Sequence, residues 1–155
     1  MRKIVVLVGL LLVISPQYHC GKKVEGCSAV SPDLEKNELS LFCKSNHIAS
    51  TWLSSGLAYQ IIDSGSGVYP AMSSKISINY TGTLLNGTVF DAGYLSNAIL
   101  SSLIEGMGVG IPLIRKGGNI KLIIPSEMAY GCTGKAPGIP PNTPLYFNIF
   151  LTDVQ

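Results

Sequence analysis

Asn86-Gly87 sits between two strand-like runs, Leu84-Leu85 before it and Thr88-Val89-Phe90 after it. Few dipeptides restrict a chain so strongly. Both residues tolerate positive φ, and that lets two antiparallel strands follow one another through a tight hairpin. The sequence around this turn fits a sheet. Leu57 to Asp63 (LAYQIID) is rich in strand formers, Ser64-Gly65-Ser66-Gly67 reads as a turn, and Val68 to Ser74, with Pro70, reads as a loop. Lys75 to Tyr80 (KISINY) alternates with period two, which places Ile76, Ile78 and Tyr80 on one face. Ile120 to Ile124 (IKLII) is a further strand. Leu145 to Val154 (LYFNIFLTDV) is the last, with Leu145, Phe147, Ile149 and Leu151 on one side. Inside this region the one helix candidate is Leu103 to Ile114, where Gly106, Gly108, Gly110 and Pro112 lower the propensity. The expected fold class is α+β, an antiparallel sheet wrapped on one short helix.

The N-terminus reads differently. Met1-Arg2-Lys3 is basic, and Ile4 to Ile14 is an unbroken apolar run of 11 residues. A membrane span needs roughly 20 residues, so the run matches the apolar stretch of an export signal. Residues 1–19 are therefore expected to be a leader. Cys20 follows it, as in bacterial lipoproteins, and is a candidate lipidation site. Gln17 and His19 depart from that pattern, so a plainly secreted protein stays open as the alternative. Two acyl chains on Cys20 would hold the protein on a membrane. Expected localisation is the periplasm or cell envelope.

Residues 20–56 read as a tether and a short helical segment. Ser31-Pro32-Asp33 has the form of a helix start, with Ser31 as N-cap and Pro32 in the first turn. Ser45 to Ser55 reads as a second short helix with Ile48, Trp52 and Leu53 on one side. Residues 28–55 are candidates for pairing two copies of the chain. The domain proper is expected over residues 57–155.

Composition excludes several classes. At 46% hydrophobic and 13% charged residues in a chain of 155, disorder throughout is ruled out. Loss of the leader removes Arg2 and Lys3, so Lys plus Arg falls from 11 to 9 against 9 acidic residues. A near-neutral chain lacks the basic footprint of a nucleic-acid binder. The metal reading is weak: there is no CxxC, and the histidines are His19 and His47. Among the cysteines, Cys27 and Cys43 lie in one N-terminal segment, and export permits a disulfide between them. Cys132 would then be a free thiol.

Two segments carry chemistry. Asn79 to Gly93 reads NYTGTLLNGTVFDAG, and Ala129 to Asn142 reads AYGCTGKAPGIPPN. Taken singly, Tyr80, Phe90 and Phe147 are what any sheet core contains, and Tyr130-Gly131 or Pro140-Pro141 could be loop punctuation. In this order, the two segments resemble the FKBP-type peptidyl-prolyl cis/trans isomerases, over about residues 57–154. The resemblance implies a proline-accepting apolar pocket between sheet and helix, and no cofactor. It gives Asp91, Tyr130 and Tyr80 the catalytic positions. It gives Phe90, Leu103, Ile104, Met107, Ile139 and Phe147 the substrate-binding ones. Ile104 would offer its backbone N–H, Met107 would form the floor where the family often has Trp, and Ile139 would lie in the loop over the pocket. Implied partners are proline-containing polypeptides and, weakly, the macrolides tacrolimus and rapamycin.

The departures fall between the two segments. Tyr94 to Ser102 lacks the phenylalanines common in the family, and Lys135 and Gly138 stand where His and Ile are common. The pocket is expected to be shallower and less aromatic. A peptide-binding or chaperone module with little catalysis is the alternative.

Overall fold

The computed structural model describes residues 26–155. The expected leader and Cys20 lie outside the described residues. Helix α1 spans Pro32–Ser45, followed by strands β1 (Thr51–Trp52), β2 (Ala58–Asp63), β3 (Lys75–Leu84) and β4 (Val89–Ile99). Then come helix α2 (Glu105–Gly110) and strands β5 (Asn119–Ile124) and β6 (Leu145–Val154). The six strands form one antiparallel sheet in the order β1-β2-β5-β6-β3-β4. The α+β expectation holds.

The two faces of the sheet are both used. Ile76 and Ile78 of β3, Ile120, Leu122 and Ile124 of β5, and Leu145, Phe147, Ile149 and Leu151 of β6 form the main core, against Met107 of α2 and Ile111 just after it. The alternate residues of β2 and β5, Ala58 and Ile123, point to the other face. There they meet Leu39 and Cys43 of α1, with Ile48 beside them. The apolar run of β5 is thus explained by burial from both sides.

The glycines of α2 have a packing reason. A Cβ on Gly106 would run into Ile124, and one on Gly110 would run into Leu122. The helix axis lies close to β5 only because those side chains are missing, which offsets their low helix propensity. The helix is shorter than the expected Leu103 to Ile114. It stops at Gly110, and a 3₁₀ turn, Ile111–Leu113, follows. Pro112 has no N–H to continue the helical ladder.

Helix α1 starts as expected, with Ser31 extended at the N-cap position and Pro32 first in the helix, although the Ser31 side chain makes no capping bond. Glu35, Leu39 and Cys43, four residues apart, form its buried stripe. The expected second helix over Ser45 to Ser55 does not form. His47 takes a φ of 52° and ends α1, and Thr51–Trp52 pairs with β2. Ile48 and Trp52 pack against α1, whereas Leu53 packs into the main core. The three apolar residues serve two faces of a sheet, as adjacent strand positions do, and not one face of a helix.

The hairpin lies where Asn86-Gly87 predicts, but its turn is built differently. Only Gly87 takes positive φ, at 89°. Its N–H donates to the Leu84 carbonyl at 3.0 Å, and the Thr88 N–H donates to the Asn86 side-chain oxygen at 2.9 Å.

The cysteine expectation is corrected. Cys27 is bonded to Cys132, with Cα atoms 5.5 Å apart and a separation of 105 positions in sequence. Cys43 is free and buried. It lies on the inward stripe of α1, packed with Ala58 and Ile123 of the sheet.

Candidate functional site

A cavity of about 250 Å³ opens between the inner face of the sheet and α2. That is slightly below the roughly 300–1,000 Å³ of drug-sized pockets, and it suits a small ring. Strand β3 contributes Ile78 and Tyr80, β4 contributes Phe90, Asp91 and Leu95, and β6 contributes Phe147. Ser102, Leu103 and Ile104 line it from the approach to α2, Met107 from the helix itself and Tyr130 from the loop before β6.

Phe90 and Asp91 are neighbours in sequence, and a regular strand would send them to opposite faces. Here the register shifts, with Gly82 opposite Asp91 but Thr83 opposite Val89. Phe90 is the extra residue of a β-bulge, the device by which strands re-aim side chains. Both residues therefore reach the same cavity.

The aromatic wall is interlocked. The Phe90 and Phe147 rings meet edge to face, with centroids 5.5 Å apart at 85°. The Tyr80 ring lies 6.4 Å from that of Phe147. All of this rests on Gly82, where a Cβ would come within 2.6 Å of Phe147 and 2.7 Å of Phe90.

The one carboxylate in the wall is fixed. The Tyr80 hydroxyl donates to Asp91 Oδ2 at 2.9 Å. Burial, this bond and the nearby charges of Asp91 and Tyr130 all hold the Tyr80 hydroxyl above the usual tyrosine range. It remains a donor at neutral pH. At the rim, the Lys135 ammonium sits 5.3 Å from the centre of the Tyr130 ring and makes a long 3.5 Å contact to its hydroxyl.

Ile104 precedes α2, and its carbonyl accepts from the N–H groups of Met107 and Gly108 at 2.9 and 3.1 Å. Its own N–H meets no backbone acceptor among the described residues.

Eight of the nine pocket residues expected from sequence thus line one cavity: Tyr80, Phe90, Asp91, Leu103, Ile104, Met107, Tyr130 and Phe147. Ile139 does not reach it. It is 4% exposed and lines an adjoining cavity of about 260 Å³ with Phe90, Asp91 and Lys135. The bridge between Lys135 and Ile139 turns the loop back on itself and draws Ile139 into the core. Three lining residues were missed. Ile78 shares the face of Tyr80 by period two and could have been included. Leu95 and Ser102 lie in the stretch without phenylalanines, where alternation is broken by the second irregularity of β4, between the Ile76 and Ile78 rungs.

The sequence profile of the FKBP-type peptidyl-prolyl cis-trans isomerases matches residues 67–152, more than half of the chain. The chain belongs to this family. Among curated FKBP-type isomerases, FkpA of Escherichia coli K12 is 45% identical over 106 residues, which are 66% of this chain and 39% of that protein. The outer membrane protein MIP of Legionella longbeachae is 38% identical over 107 residues, 66% of this chain and 46% of that protein. The chain thus spans less than half the length of these relatives. The crystal structure of Escherichia coli FkpA superposes with a TM-score of 0.71 at 39% identity, covering 81% of this chain and 59% of that one. The FKBP fold accounts for the short helix held against a wrapped antiparallel sheet.

Proposed function

We propose that this protein is a peptidyl-prolyl cis/trans isomerase acting on X-Pro bonds of exported polypeptides. The observation that carries the reading is the Tyr80–Asp91 pair, fixed in the wall of a mainly apolar, aromatic-lined cavity of about 250 Å³.

The chemistry needs little more. Resonance makes the peptide C–N bond resist rotation by roughly 18–20 kcal/mol, and unaided X-Pro bonds exchange over tens to hundreds of seconds. Twisting removes the resonance and with it the charge separation that water solvates. A dry pocket therefore favours the twisted amide over the planar one relative to water, which is differential binding of the transition state. In this reading Phe90, Met107 and Phe147 hold the proline ring. The Ile104 N–H and the Tyr130 hydroxyl position the peptide, and Asp91, held by Tyr80, lies beside the rotating carbonyl.

A protease-coupled isomerisation assay on short X-Pro peptides tests this. The catalysed rate should exceed that of a Tyr130→Phe, Asp91→Ala double variant many-fold. Equal rates would remove the enzyme reading. The observation favouring the alternative, a peptide-binding module with little catalysis, is the floor itself. Met107 stands where the family often has Trp, and Leu95 lies in the stretch without phenylalanines; both line the cavity. In that case peptides would bind with no rate enhancement. The same lack of rings in the floor supports weak binding of tacrolimus and rapamycin.

The expected leader and the name of the Legionella relative support a place in the cell envelope, with Cys20 as the lipid-bearing residue if the protein is anchored. Pairing of two copies through residues 28–55 is supported by Leu34 and Leu41, seven residues apart on α1 and 77% and 64% exposed. Sedimentation of the full protein against a Leu34→Glu, Leu41→Glu variant tests it, a monomer in both overturning the pairing.

A further inference from the structure

Tyr130 is carried by the connection between β5 and β6, whose regular structure is two 3₁₀ turns, Ser126–Met128 and Gly131–Thr133, and the Lys135–Ile139 bridge. Such connections sit at the low end of local stability. This one is tied from outside at three points, and all three ties come from residues 27–35. Four residues before Tyr130, the backbone N–H and the hydroxyl of Ser126 both donate to the Glu35 carboxylate, at 2.8 and 2.5 Å. Glu35 is 5% exposed and Ser126 fully buried, so these bonds are shielded from water. Two residues after Tyr130, Cys132 is covalently joined to Cys27. Further on, the Asn142 side chain donates to the Ser28 carbonyl at 3.3 Å, and the Asn142 N–H donates to the Gly131 carbonyl at 2.8 Å.

The segment that supplies these ties lies before residue 67, outside the part of the chain that the family profile matches. It contributes no strand to the sheet around α2. What it brackets is the six-residue span from Ser126 to Gly131 with Tyr130 inside.

We infer that the Cys27–Cys132 disulfide and the Glu35–Ser126 pair are positioning residues for the isomerase site, acting through Tyr130. They hold the loop in the one arrangement that sets the Tyr130 ring at the pocket rim. With the latch released, the sheet, α2 and the Phe90–Phe147 wall keep their places, while Tyr130 samples other positions and meets the peptide less often. The inference rests on the role given to Tyr130 under the proposed function.

The test is a double-mutant cycle on kcat/KM, which separates action through Tyr130 from a general loss of stability. The oxidised protein, the protein reduced under native conditions and a Cys27→Ala, Cys132→Ala variant are each compared with and without Tyr130→Phe. Reduction by a dithiol delivers two electrons and two protons, one hydrogen to each sulfur, and leaves the reductant as its own disulfide. Cys27 is exposed, so the reagent has access. Circular dichroism at the assay temperature checks that the fold persists. If either released form unfolds there, Ser126→Ala, which loosens only the Glu35 tie, takes its place in the same cycle.

The expected result is a fall of about 5-fold on release of the latch in the Tyr130 protein and less than about 2-fold in the Tyr130→Phe background, a coupling within the usual range for connected groups. An equal fall in both backgrounds, or none in the Tyr130 protein, overturns the inference and leaves the site reading intact. No effect of Tyr130→Phe in the oxidised protein overturns the site reading and the inference with it.

Discussion

Tyr80 and Asp91 are hydrogen-bonded at 2.9 Å although they are not ladder partners, Tyr80 pairing with Gly93 and Asp91 with Gly82. The contact is a diagonal one across β3 and β4. It fixes an acidic group in an apolar wall without an ion pair, because a phenol supplies the donor. A carboxylate held this way keeps its direction without a cation bonded to it, the nearest ammonium, Lys135, lying at the rim beside Tyr130.

The Tyr80→Phe variant isolates that bond. The ring and its contact with Phe147 remain, and only the donor is lost. A partly exposed hydrogen bond contributes about 0.5–1.5 kcal/mol, so kcat/KM for an X-Pro peptide should fall by about 2- to 10-fold. Thermal unfolding should shift by only a few degrees. A fall beyond about 100-fold would mean that Tyr80 does more than orient Asp91.

The same bond sets a pH limit. The Tyr80 hydroxyl titrates above its ordinary value of 10.0. A group raised in the folded state contributes stability that is fully present below the unfolded pKa and is lost as pH rises through the folded one. Tyr80 therefore contributes no pH dependence from pH 7 to 9, and its contribution to both stability and activity should decline only above pH 10. Spectrophotometric titration at the phenolate band, compared between the protein and Tyr80→Phe, locates the change.

Gly82→Ala tests the floor under the aromatic wall. The added methyl has to displace Phe90 or Phe147, and overpacking of this kind costs about 1–3 kcal/mol. Urea denaturation should show that loss. Peptide turnover should drop more than stability alone explains, since both rings line the pocket. Unchanged turnover would argue that the edge-to-face pair is not needed for the substrate.

The cysteine connectivity can be read directly. Proteolytic fragments of the unreduced protein should join Cys27 to Cys132, and Cys43 should react with an alkylating reagent only after unfolding. A 105-residue separation corresponds to about 4–5 kcal/mol in the chain-entropy account of disulfides, so reduction should lower the unfolding midpoint clearly.

Much of the fold was legible because it is written in local pattern. The hairpin at Asn86-Gly87 and the alternating strand Leu145 to Val154 need no knowledge of the rest of the chain. The site residues Tyr80, Phe90, Asp91, Tyr130 and Phe147 were legible through the two resembling segments. What the sequence hid is non-local. Nothing near Cys27 says that its partner is 105 residues away, and proximity favoured Cys43 wrongly. Ile48, Trp52 and Leu53 are spaced as a helix would space them, yet the sheet edge claimed Trp52 for β1. The bulge at Phe90 leaves no mark in the residue types. Ile139 was placed over the pocket by resemblance, but the turn between Lys135 and Ile139 takes it inward.

The strand order β1-β2-β5-β6-β3-β4 sets a lower bound on the piece of this chain that can live alone. A fragment trimmed to residues 67–152 would keep every residue that lines the pocket and would lose β1 and β2. Strand β5, with Ile120, Leu122, Ile123 and Ile124, would become a bare edge, and Ile123 would lose the cover of α1. Unprotected edges of that composition recruit other chains. Any minimal version of this protein therefore begins at or before the N-terminal helix, and the residues upstream of the shared domain double as its protection against self-association.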